Sequence, residues 1–496
     1  MEHVAVGIAH ASYNSDPPFH PDTDFPELAF RERSAQPNLP YRLLRKLLLR
    51  LGFDRERYST EHWNPLGHLI RPGETVVVKP NFVCSRHAGG GDLFATITHP
   101  SIIRALVDYA YIALRGTGRL VIADAPQMDC NWTQLMAAQR IDTIQQFYRD
   151  RFDFEVECYD LRNYTLIDPD LPGYSRNRQW LAGDPAGSVV VNLGRQSRFY
   201  GLDSGNYYGA DFDRSQTIRH HTGDVQEYCV ARTILDADTI ISVPKMKVHK
   251  KVGVTLNLKG LVGINTDKNY LIHYRLGTPQ TGGDQLPSRV SPTDKAVIGA
   301  QRWLFDKALA RQTVWGDVLY KAAWIAYRRT IKPFRRVSPE TLICDSGNWH
   351  GNDSAWRMAA DLAHVVFHAD AGGQLHDTTQ RRMLCVVDGI VGGENDGPLK
   401  PSPKYSGCLV AGRNPWAVDL IAARLMGFDV ESLKLFREAP AGLPTTGKPE
   451  FSRISVHSDR GTVAGEAFLE SRNGDGMLAF VPHPGWLGHV EVGRAA

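Results

Sequence analysis

The segment ETVVVKPN, residues 74–81, decides the fold. Its threonine and valines form an apolar, β-branched run of the kind found in strands that are buried on both faces, and Pro80 ends the run. A helical pattern at residues 101–114 follows, and then a second apolar run, RLVIA, at residues 119–123. A strand, a helix and a strand in this order form a right-handed crossover between parallel strands. We therefore predict an α/β fold with a mainly parallel sheet flanked by helices.

Polar side chains follow several of the predicted strands. Lys79 and Asn81 stand at the end of the first strand, and Asp124 stands at the end of the second. A third apolar run, TIISV at residues 239–243, is followed by Lys245. Ligands of open α/β sheets bind at the edge where the carboxyl ends of parallel strands meet. We therefore expect these side chains at one site, with Lys79, Asn81 and Lys245 holding an anion.

The length of the chain predicts more than one lobe. Its 496 residues exceed the usual limit for a single hydrophobic core. Apolar periodicity weakens at about residues 127–230, which we interpret as an insertion in a first α/β lobe at residues 1–285. Residues 286–340 are predicted to form a helical arm, and residues 341–496 a second, smaller α/β lobe that completes the site.

The predicted arm is basic and rich in tryptophan. From Arg302 to Arg336 the sequence has nine Lys or Arg residues and two Asp residues, a net charge of +7. Basic amphipathic helices with tryptophan can lie on membrane surfaces. An arm packed on its own chain or on a dimer partner fits the same pattern and is the favoured interpretation, so the sequence leaves a homo-oligomer open.

The overall composition argues against several classes of protein. The net charge of +3 and the lack of any nucleic-acid-binding signature argue against a nucleic acid partner. No stretch approaches the roughly 20 apolar residues that a membrane-spanning helix needs, and the N-terminus lacks a signal-peptide pattern. The seven cysteines form no CxxC pair. We therefore expect reduced thiols, a cytoplasmic location and no iron–sulfur cluster within this chain.

The segment PKMKVHKKVGVTLNLKGLVGIN, residues 244–265, is the predicted functional centre. Its lysines create a positive field that suits a phosphate, a carboxylate or a sugar acid. His249 can transfer a proton near neutral pH. Lys259 stands among apolar residues, where partial burial would lower its pKa and make it nucleophilic. Thr255 and Asn257 can supply hydrogen bonds to a ligand.

Other polar residues complete the set of candidates. Trp349 and Arg357 flank a glycine turn and are typical of a pocket lining. Asp388 and Glu394 belong to a Gly-rich stretch whose carboxylates could hold a divalent cation, although acidic residues are also ordinary in turns. Lys247 is expected at the surface, as part of a solvated basic loop.

Several segments together resemble the domain-of-unknown-function 362 family. They are VVVKPNFV with THPSIIRALV, LVIADAP, ADTIISVPKMKVHKKVGVTLNLKGLVGI, SGNWHGNDSAWRMAADL and VVDGIVGGENDGPLKPSPKYSGCLVAGRNPWAVDLIAARLMGF, and they span residues 74–430. Many members of that family also carry a ferredoxin-like iron–sulfur module, whose cysteines this chain lacks. The resemblance implies kinship in fold and leaves the reaction open.

The spacing H-x3-G-x-T-x3-K-x3-G is similar to a stretch of the nickel-pincer lactate racemases. Here it falls on His249, Gly253, Thr255, Lys259 and Gly263. The resemblance implies that His249 is an acid or base and that Lys259 tethers a nickel-pincer nucleotide. Two features depart from that pattern. His99 replaces the arginine of a Thr-Arg-Pro element, and His273 lies near, but not at, the place of a metal-binding histidine.

These observations predict an enzyme that isomerises a small hydroxy acid or sugar acid by proton or hydride transfer. Two alternatives stay open: a metal-assisted transferase or hydrolase acting on a phosphorylated glycan precursor, and a non-catalytic binding or assembly protein that uses the basic arm. The candidate cofactor is a divalent metal, magnesium or nickel. The predicted catalytic residues are His249, Lys259 and His99. The predicted substrate-binding residues are Lys79, Asn81, Asp124, Lys245, Thr255, Asn257, Trp349 and Arg357, and the predicted metal ligands are Asp388 and Glu394.

Overall fold

The computed structural model describes residues 1–10, 12–168, 177–210, 214–309, 337–438, 449–470 and 477–493, together with the single positions 318, 322, 325, 326 and 329. Most of the predicted helical arm, including Trp315 and Trp324, therefore lies outside the described residues. The arm begins within the helix Pro292–Leu309, on which Trp303 is 63% exposed. No helix in the described ranges is long and apolar enough to cross a bilayer.

Short strands and helices alternate along the described chain. The strands are β1 (Glu2–Ile8), β2 (Thr75–Pro80), β3 (Arg119–Asp124), β4 (Val156–Asp160), β5 (Tyr164–Leu166), β6 (Arg178–Trp180), β7 (Ser188–Asn192), β8 (Tyr207–Gly209), β9 (His221–Thr222), β10 (Val225–Ala231), β11 (Thr239–Val243), β12 (Lys245–His249), β13 (Gly253–Thr255), β14 (Ile272–Arg275), β15 (Arg382–Glu394), β16 (Ser402–Gly412), β17 (Ile454–Ser458) and β18 (Gly461–Ala464). The α-helices are α1 (Leu39–Arg50), α2 (Pro100–Leu114), α3 (Trp132–Gln139), α4 (Ile141–Phe152), α5 (Arg214–His220), α6 (Arg232–Leu235), α7 (Asn257–Gly260), α8 (Pro292–Leu309), α9 (Pro339–Cys344), α10 (Ala355–His368), α11 (Pro415–Leu425), α12 (Lys434–Arg437) and α13 (Gly465–Glu470).

Most of the strands join one large sheet, whose order is β18-β17-β1-β16-β15-β11-β2-β3-β4. The run β15-β11-β2-β3-β4 is parallel throughout, whereas β16 pairs antiparallel with β1 and β15. Smaller sheets, β7-β10-β9, β14-β8 and β5-β6, lie off this path. The predicted α/β class and the mainly parallel sheet are confirmed.

Strands from both predicted lobes share this large sheet. β15, from the predicted lobe at residues 341–496, pairs directly with β11 of the first lobe. The predicted insertion at residues 127–230 contributes the edge strand β4, which pairs with β3. The candidate site is therefore built on one continuous hydrogen-bonded scaffold.

Helices cover both faces of the sheet, which explains why β2 is apolar throughout. Val77 packs into one apolar cluster, together with helices α10 and α11. Val76 and Val78 point to the opposite face and pack with helices α1 and α2. Successive side chains of a strand alternate between faces, so burial on both sides requires an unbroken apolar run.

The long strand β15 pairs with two shorter strands in turn. Its first residues pair with β11, and Asp388 then stands opposite Lys245 of β12. Pro244 separates β11 from β12, because it has no N–H to donate to a neighbouring strand. Its carbonyl oxygen still accepts a hydrogen bond from the Asp388 N–H at 2.8 Å. β12 therefore continues the sheet past the ends of the central strands and carries the predicted functional segment with it.

Candidate functional site

A cavity of about 680 Å³ opens where β2 and β3 end, between these strand ends and the segment from β12 to Gly263. Its volume lies in the usual range for small-molecule sites. Positive side chains outnumber negative ones on its walls. The lining cations are Lys247, Lys250, Lys251, Lys259, Lys268 and Arg302, and the lining carboxylates are Asp124 and Asp129.

The cavity collects part of the predicted site. The predicted residues that line it are Asn81, Asp124, His249, Thr255 and Lys259. Lys79 lies behind the wall, paired with Asp124. The structure places the other predicted residues elsewhere; they are His99, Lys245, Asn257, Trp349, Arg357, Asp388 and Glu394.

Lys79 and Asp124 form a buried ion pair at the strand ends. Their side chains are 2% and 3% exposed, and Lys79 Nζ lies 2.8 Å from Asp124 Oδ1. The other carboxylate oxygen accepts the Phe82 N–H at 2.7 Å. The pair forms because β2 and β3 are parallel neighbours, so their last residues lie side by side. Lys79 thus neutralises the carboxylate at the cavity wall.

Gly263 closes the functional segment against this ion pair. A Cβ atom at this position would lie 1.9 Å from Asp124 Oδ1 and 2.8 Å from Lys79 Nζ. The carbonyl oxygen of Gly263 accepts the Ala125 N–H at 2.7 Å. Only a glycine allows the backbone to approach so closely, which accounts physically for the last glycine of the H-x3-G-x-T-x3-K-x3-G spacing.

The short helix α7 holds Lys259, and a buried carboxylate fixes this helix in place. Asp419 accepts the Asn257 and Leu258 N–H groups at 2.9 and 2.8 Å, and the Asn257 side-chain amide at 2.7 Å. Burial raises the pKa of Asp419 to about 7. Asn257 therefore positions the segment from outside the cavity and does not reach a ligand within it.

His249 can act only as a hydrogen-bond donor toward the cavity, through its Nε2 atom. It is 6% exposed, and its Nδ1 accepts the Lys251 backbone N–H at 3.0 Å. A backbone N–H can only donate, so the neutral ring carries its proton on Nε2. Burial, with the nearby charge of Lys259, holds the pKa of His249 well below its usual value. The side chain is therefore a neutral donor at physiological pH.

His273, which the sequence comparison only touched on, also lines the cavity and has the opposite tautomer. Its Nδ1 lies 3.5 Å from the Leu271 carbonyl oxygen. A carbonyl oxygen can only accept, so this long contact favours the tautomer with its proton on Nδ1, which leaves the Nε2 lone pair available. Burial and the charges of Lys259 and Lys251 hold the pKa of His273 well below its usual value. One cavity thus contains a neutral imidazole donor and a neutral imidazole acceptor.

Lys259 differs from Lys247, Lys251 and Lys268, whose amines donate to backbone carbonyl oxygens. It shares the lack of such a bond with Lys250, which is the more exposed of the two. Lys259 is 8% exposed, and its Nζ has no hydrogen-bond acceptor among the residues that the structure describes. Burial lowers its pKa to about 8, and the positive charge of Lys79 acts in the same direction. Burying an ammonium group without a hydrogen-bond acceptor costs free energy. Binding of an anion beside Lys259 would reduce this cost.

Lys247 and Lys268 are held by backbone carbonyls. Lys247 donates to the Thr96 and Pro398 carbonyl oxygens at 2.6 and 3.2 Å. Lys268 donates to the Ala125 and Asn265 carbonyl oxygens at 2.9 and 3.0 Å. Burial lowers the pKa of each lysine to about 7.

The prediction that Lys247 lies at the surface is wrong, because the side chain is only 1% exposed. β12 is paired on both sides, with β13 and with β15. The loops that contain Thr96 and Pro398 then cover the amine, as its two hydrogen bonds show. A dense run of lysines in a sequence therefore does not by itself indicate a solvated loop.

Two of the predicted site residues at the cavity have a buried oxygen atom that lacks a partner. Asn81 Oδ1 and Thr255 Oγ1 have no hydrogen bond to any described residue. Asn81 is 9% exposed and Thr255 is 3% exposed. Most buried polar atoms in folded proteins are paired, so these atoms are well placed to bind a ligand that brings hydroxyl or N–H groups.

A second polar cluster lies at the same edge of the sheet but outside the cavity. We call Tyr13, His99, Lys245 and Asp388 the paired cluster. Lys245 Nζ lies 2.5 Å from one Asp388 oxygen and 2.7 Å from the Tyr13 hydroxyl oxygen, and Tyr13 donates to the other Asp388 oxygen at 2.7 Å.

His99 completes this cluster. Its backbone N–H donates to Asp388 at 3.0 Å, and its ring stacks on that of Tyr13 with centroids 3.9 Å apart. Burial and the charge of Lys245 hold the pKa of His99 well below its usual value. The predicted catalytic His99 and the predicted anion-binding Lys245 are therefore internal to this cluster.

Trp349 and Arg357 also make contacts within the protein itself. Trp349 donates its indole N–H to the Asp284 carbonyl oxygen at 2.9 Å. Arg357 pairs with Asp353, one turn earlier in the chain, at 3.0 Å. Neither side chain lines the cavity, so both brace the start of α10.

The structure does not bring Asp388 and Glu394 together. Both belong to β15 and stand six residues apart, which is about 20 Å along a strand. Asp388 pairs with Lys245, whereas Glu394 accepts the Val481 N–H at 2.9 Å. Within the described residues, no group of three or more His, Cys, Asp or Glu side chains could hold a metal ion. The side chains in the described ranges therefore do not form a metal site by themselves.

Sequence reasoning missed several residues that line the cavity, namely Lys268, Tyr208, Tyr274 and Arg302. Lys268 belongs to the long polar stretch after residue 265, and long polar loops are often functional. That stretch was the only sequence signal for it. Tyr208 and Tyr274 stack at 5.0 Å, and Arg302 lies over both rings. These contacts join distant parts of the chain and leave no local pattern.

Comparison with known families identifies a large part of the chain. The chain contains a DUF362 domain, a domain of unknown function, over residues 186–424. This range includes β12, β13, α7 and both cavity histidines. The predicted resemblance to this family is confirmed.

Other comparisons add little. No protein with a curated description matches the chain significantly. A structural genomics crystal structure of a Thermotoga maritima protein is similar at 10% identity and a TM-score of 0.27, with 75% of this chain and 55% of that chain covered. The chain thus spans about half the length of that protein.

Proposed function

We propose that the protein is an enzyme that binds a small anionic metabolite in this cavity and moves a proton on it, as an isomerase does. The observation that carries the proposal is the pair of histidines with opposite tautomers, His249 and His273, in one cationic cavity. The substrate class is a hydroxy acid, a sugar acid or a phosphorylated sugar.

The charge of the cavity supports an anionic ligand. Of its two lining carboxylates, Asp124 is already neutralised by Lys79. The excess of lysine and arginine is therefore not balanced within the site. An anion would lower the cost of the buried positive charges and would raise the depressed pKa values of the lysines. Asn81 Oδ1 and Thr255 Oγ1 would accept hydrogen bonds from hydroxyl groups of the same ligand.

The two histidines support different steps of a proton transfer. His273 offers the Nε2 lone pair, so it is the base that removes a proton from carbon. His249 offers the Nε2–H, so it donates a hydrogen bond to the oxygen on which negative charge then develops. A bound anion counters the charge of Lys259 and raises the pKa of His273 toward neutrality, where a general base works best. This assigns His249 a narrower role than the acid or base that its sequence context suggests.

A metal cofactor does not enter these steps. The magnesium or nickel considered from the sequence would need ligands beyond the described side chains, because only His249 and His273 offer histidine nitrogens at the cavity. Elemental analysis of the purified protein tests this point directly. A metal bound at one equivalent would show that a further component completes the site.

Hydrogen exchange tests the proposed function. The protein is incubated in D2O with D-lactate, L-lactate, D-gluconate or ribose 5-phosphate, and loss of the carbon-bound hydrogen signal is followed by NMR. We expect exchange with at least one of these probes, and a loss of about 100-fold or more in His273→Gln and His249→Gln.

His62→Gln is the matched control, because the His62 side chain is 76% exposed and does not line the cavity. It should exchange at the wild-type rate. Exchange that persists in both cavity variants would contradict the proposed proton transfer.

A further inference from the structure

The amine of Lys259 is buried at the cavity wall and is free to react with a bound ligand. It lines the cavity, it is fixed through α7 by Asp419, and it has no acceptor among the described residues. A buried lysine near another cation is the setting in which amines act as nucleophiles. Neither the anion binding nor the proton transfer proposed above uses this property.

We propose that Lys259 forms an imine with the carbonyl carbon of an anionic ligand. The substrate class is then a carboxylate or phosphate that carries an aldehyde or ketone, such as a 2-oxo acid or an open-chain sugar acid. This inference rests on the proposed function for the binding of the anion, and it adds a covalent step at the same site.

The reaction needs no oxidant, reductant or further reactant. The neutral amine of Lys259 attacks the carbonyl carbon, and the nitrogen proton moves through water to the carbonyl oxygen, giving a carbinolamine. The nitrogen lone pair then forms the C=N bond, and the hydroxyl group leaves with a second proton as water. The Nε2–H of His249 is available to hydrogen-bond the oxygen throughout, and hydrolysis of the imine regenerates the amine and the carbonyl compound.

The state of Lys259 favours this reaction at physiological pH. Burial and the neighbouring Lys79 lower its pKa to about 8, so roughly a tenth of the amine is neutral at pH 7. An exposed lysine, with its usual pKa near 10.4, would have less than about a thousandth in that form.

Lys247 and Lys268 have still lower pKa values, but geometry favours Lys259. Each of those two amines donates to two backbone carbonyls at 2.6 to 3.2 Å. They would have to leave these partners to reach a ligand carbon. Lys259 loses no hydrogen bond to any described residue when it turns toward the ligand.

An imine also increases the acidity of the hydrogen on the adjacent carbon, because the protonated C=N bond withdraws electrons. The base for that hydrogen is already present in His273. The covalent step and the proton transfer would therefore act on neighbouring atoms of one ligand.

Trapping tests the inference. Pyruvate or 2-oxoglutarate is added to the purified full-length protein with sodium cyanoborohydride, which reduces an imine to a stable amine. We expect the intact mass to rise by one reduced adduct, and peptide mapping to place the adduct on Lys259. In Lys259→Arg, which keeps the positive charge, the adduct should fall by more than about tenfold.

Lys46→Arg is the matched control, because Lys46 is exposed on α1. It should trap as well as the wild type. A shift of the melting temperature with pyrophosphate reports anion binding independently of the imine. An unmodified wild type that still responds to pyrophosphate would overturn the imine and leave the proposed function standing.

Three further outcomes decide the remaining cases. No adduct and no response to pyrophosphate would overturn both proposals. An adduct mapped to any of the other cavity lysines, which are Lys247, Lys250, Lys251 and Lys268, would overturn the assignment to Lys259. If Lys259→Arg does not fold, as judged by circular dichroism, the mapped position in the wild type decides alone.

Discussion

Two groups of side chains at the same edge of the sheet consist of similar polar residues but differ in how many hydrogen-bond partners they have. In the paired cluster, Lys245, Asp388 and Tyr13 satisfy one another at 2.5 to 2.7 Å. In the cavity, Thr255 Oγ1 is buried without a partner, and Lys259 Nζ and His249 Nε2 line the cavity without a hydrogen bond to any described residue. Residue type does not separate the two groups. The number of partners of these particular atoms does, and it favours the first group as scaffold and the second as the candidate binding site.

The largest expected effect is the loss of a partner in the paired cluster. Lys245→Met would leave the Asp388 carboxylate buried without its cation. Removing one member of a buried ion pair costs about 3–5 kcal/mol in the free energy of unfolding. Urea unfolding at pH 7 measures this loss. A change below about 1 kcal/mol would mean that the cluster does not stabilise the fold.

The same substitution in the cavity should act in the opposite direction. Lys259→Met removes a buried charge that lacks an acceptor, so the free energy of unfolding should rise by about 1–3 kcal/mol at pH 7. The variant should also lose its response to pyrophosphate. A destabilised Lys259→Met would contradict the view that this lysine is kept for a ligand.

Two threonines extend the comparison to uncharged groups. Thr98 Oγ1 accepts the Asn81 N–H at 2.9 Å and donates to the Val243 carbonyl at 2.6 Å. Thr98→Val should therefore cost about 1–3 kcal/mol in the free energy of unfolding, because it leaves both partners buried and unpaired. Thr255→Val removes an oxygen with no partner and should leave stability unchanged while weakening anion binding. Equal stability losses in the two variants would contradict this distinction.

The smallest expected effect is the dependence of anion binding on pH. Burial lowers the pKa to about 7 for Lys247 and Lys268 and to about 8 for Lys259. Each lysine loses its charge as the pH rises through its lowered pKa, so affinity for pyrophosphate should fall by about tenfold between pH 7 and pH 9. Calorimetry in two buffers of different ionisation enthalpy should show proton uptake on binding.

The free energy of unfolding of the ligand-free protein should change with pH in the opposite direction to anion affinity. The pKa of each of these lysines is lower in the folded state than in the unfolded state. The protein is therefore least stable at a pH where the lysine is charged in both states. The free energy of unfolding should therefore rise as the pH increases through 7 and 8, and it should reach its full value above the unfolded pKa, near 10.4. A profile that is flat from pH 6 to pH 9, for binding and for stability alike, would contradict the buried state of these amines.

Much of the fold could be predicted from the sequence because the central strands are buried on both faces. Apolar runs such as residues 75–78 and 239–243 have few other interpretations, and the crossover rule gives their direction. The edge that carries the site followed from the residue types after each strand. Lys79 with Asp124 is the clearest case, since parallel neighbours must end side by side.

The separation into scaffold and site could not be predicted in the same way. Lys245 meets Asp388 across 143 positions of the chain, and no local pattern records such a contact. His273 belongs to the short strand β14, within a long polar stretch of sequence, and its position depends on the pairing of β14 with β8. Whether the amine of a buried lysine has hydrogen-bond acceptors depends on which carbonyl oxygens from distant parts of the chain lie beside it. These contacts exist only in the folded chain.

The strand β12 links the two groups through its alternation of side chains. Lys245, Lys247 and His249 occupy its odd positions, while Met246 and Val248 fill the even ones and pack in the apolar core. A deletion or insertion of a single residue inside this strand would exchange the two sets. The side chains of Met246 and Val248 would then face the cavity, and the charged side chains of β12 would be placed in the apolar core. The positions of Lys247 and His249 at the cavity wall therefore depend on the odd–even phase of a five-residue strand, and an in-frame insertion or deletion of one codon there would replace both with apolar side chains.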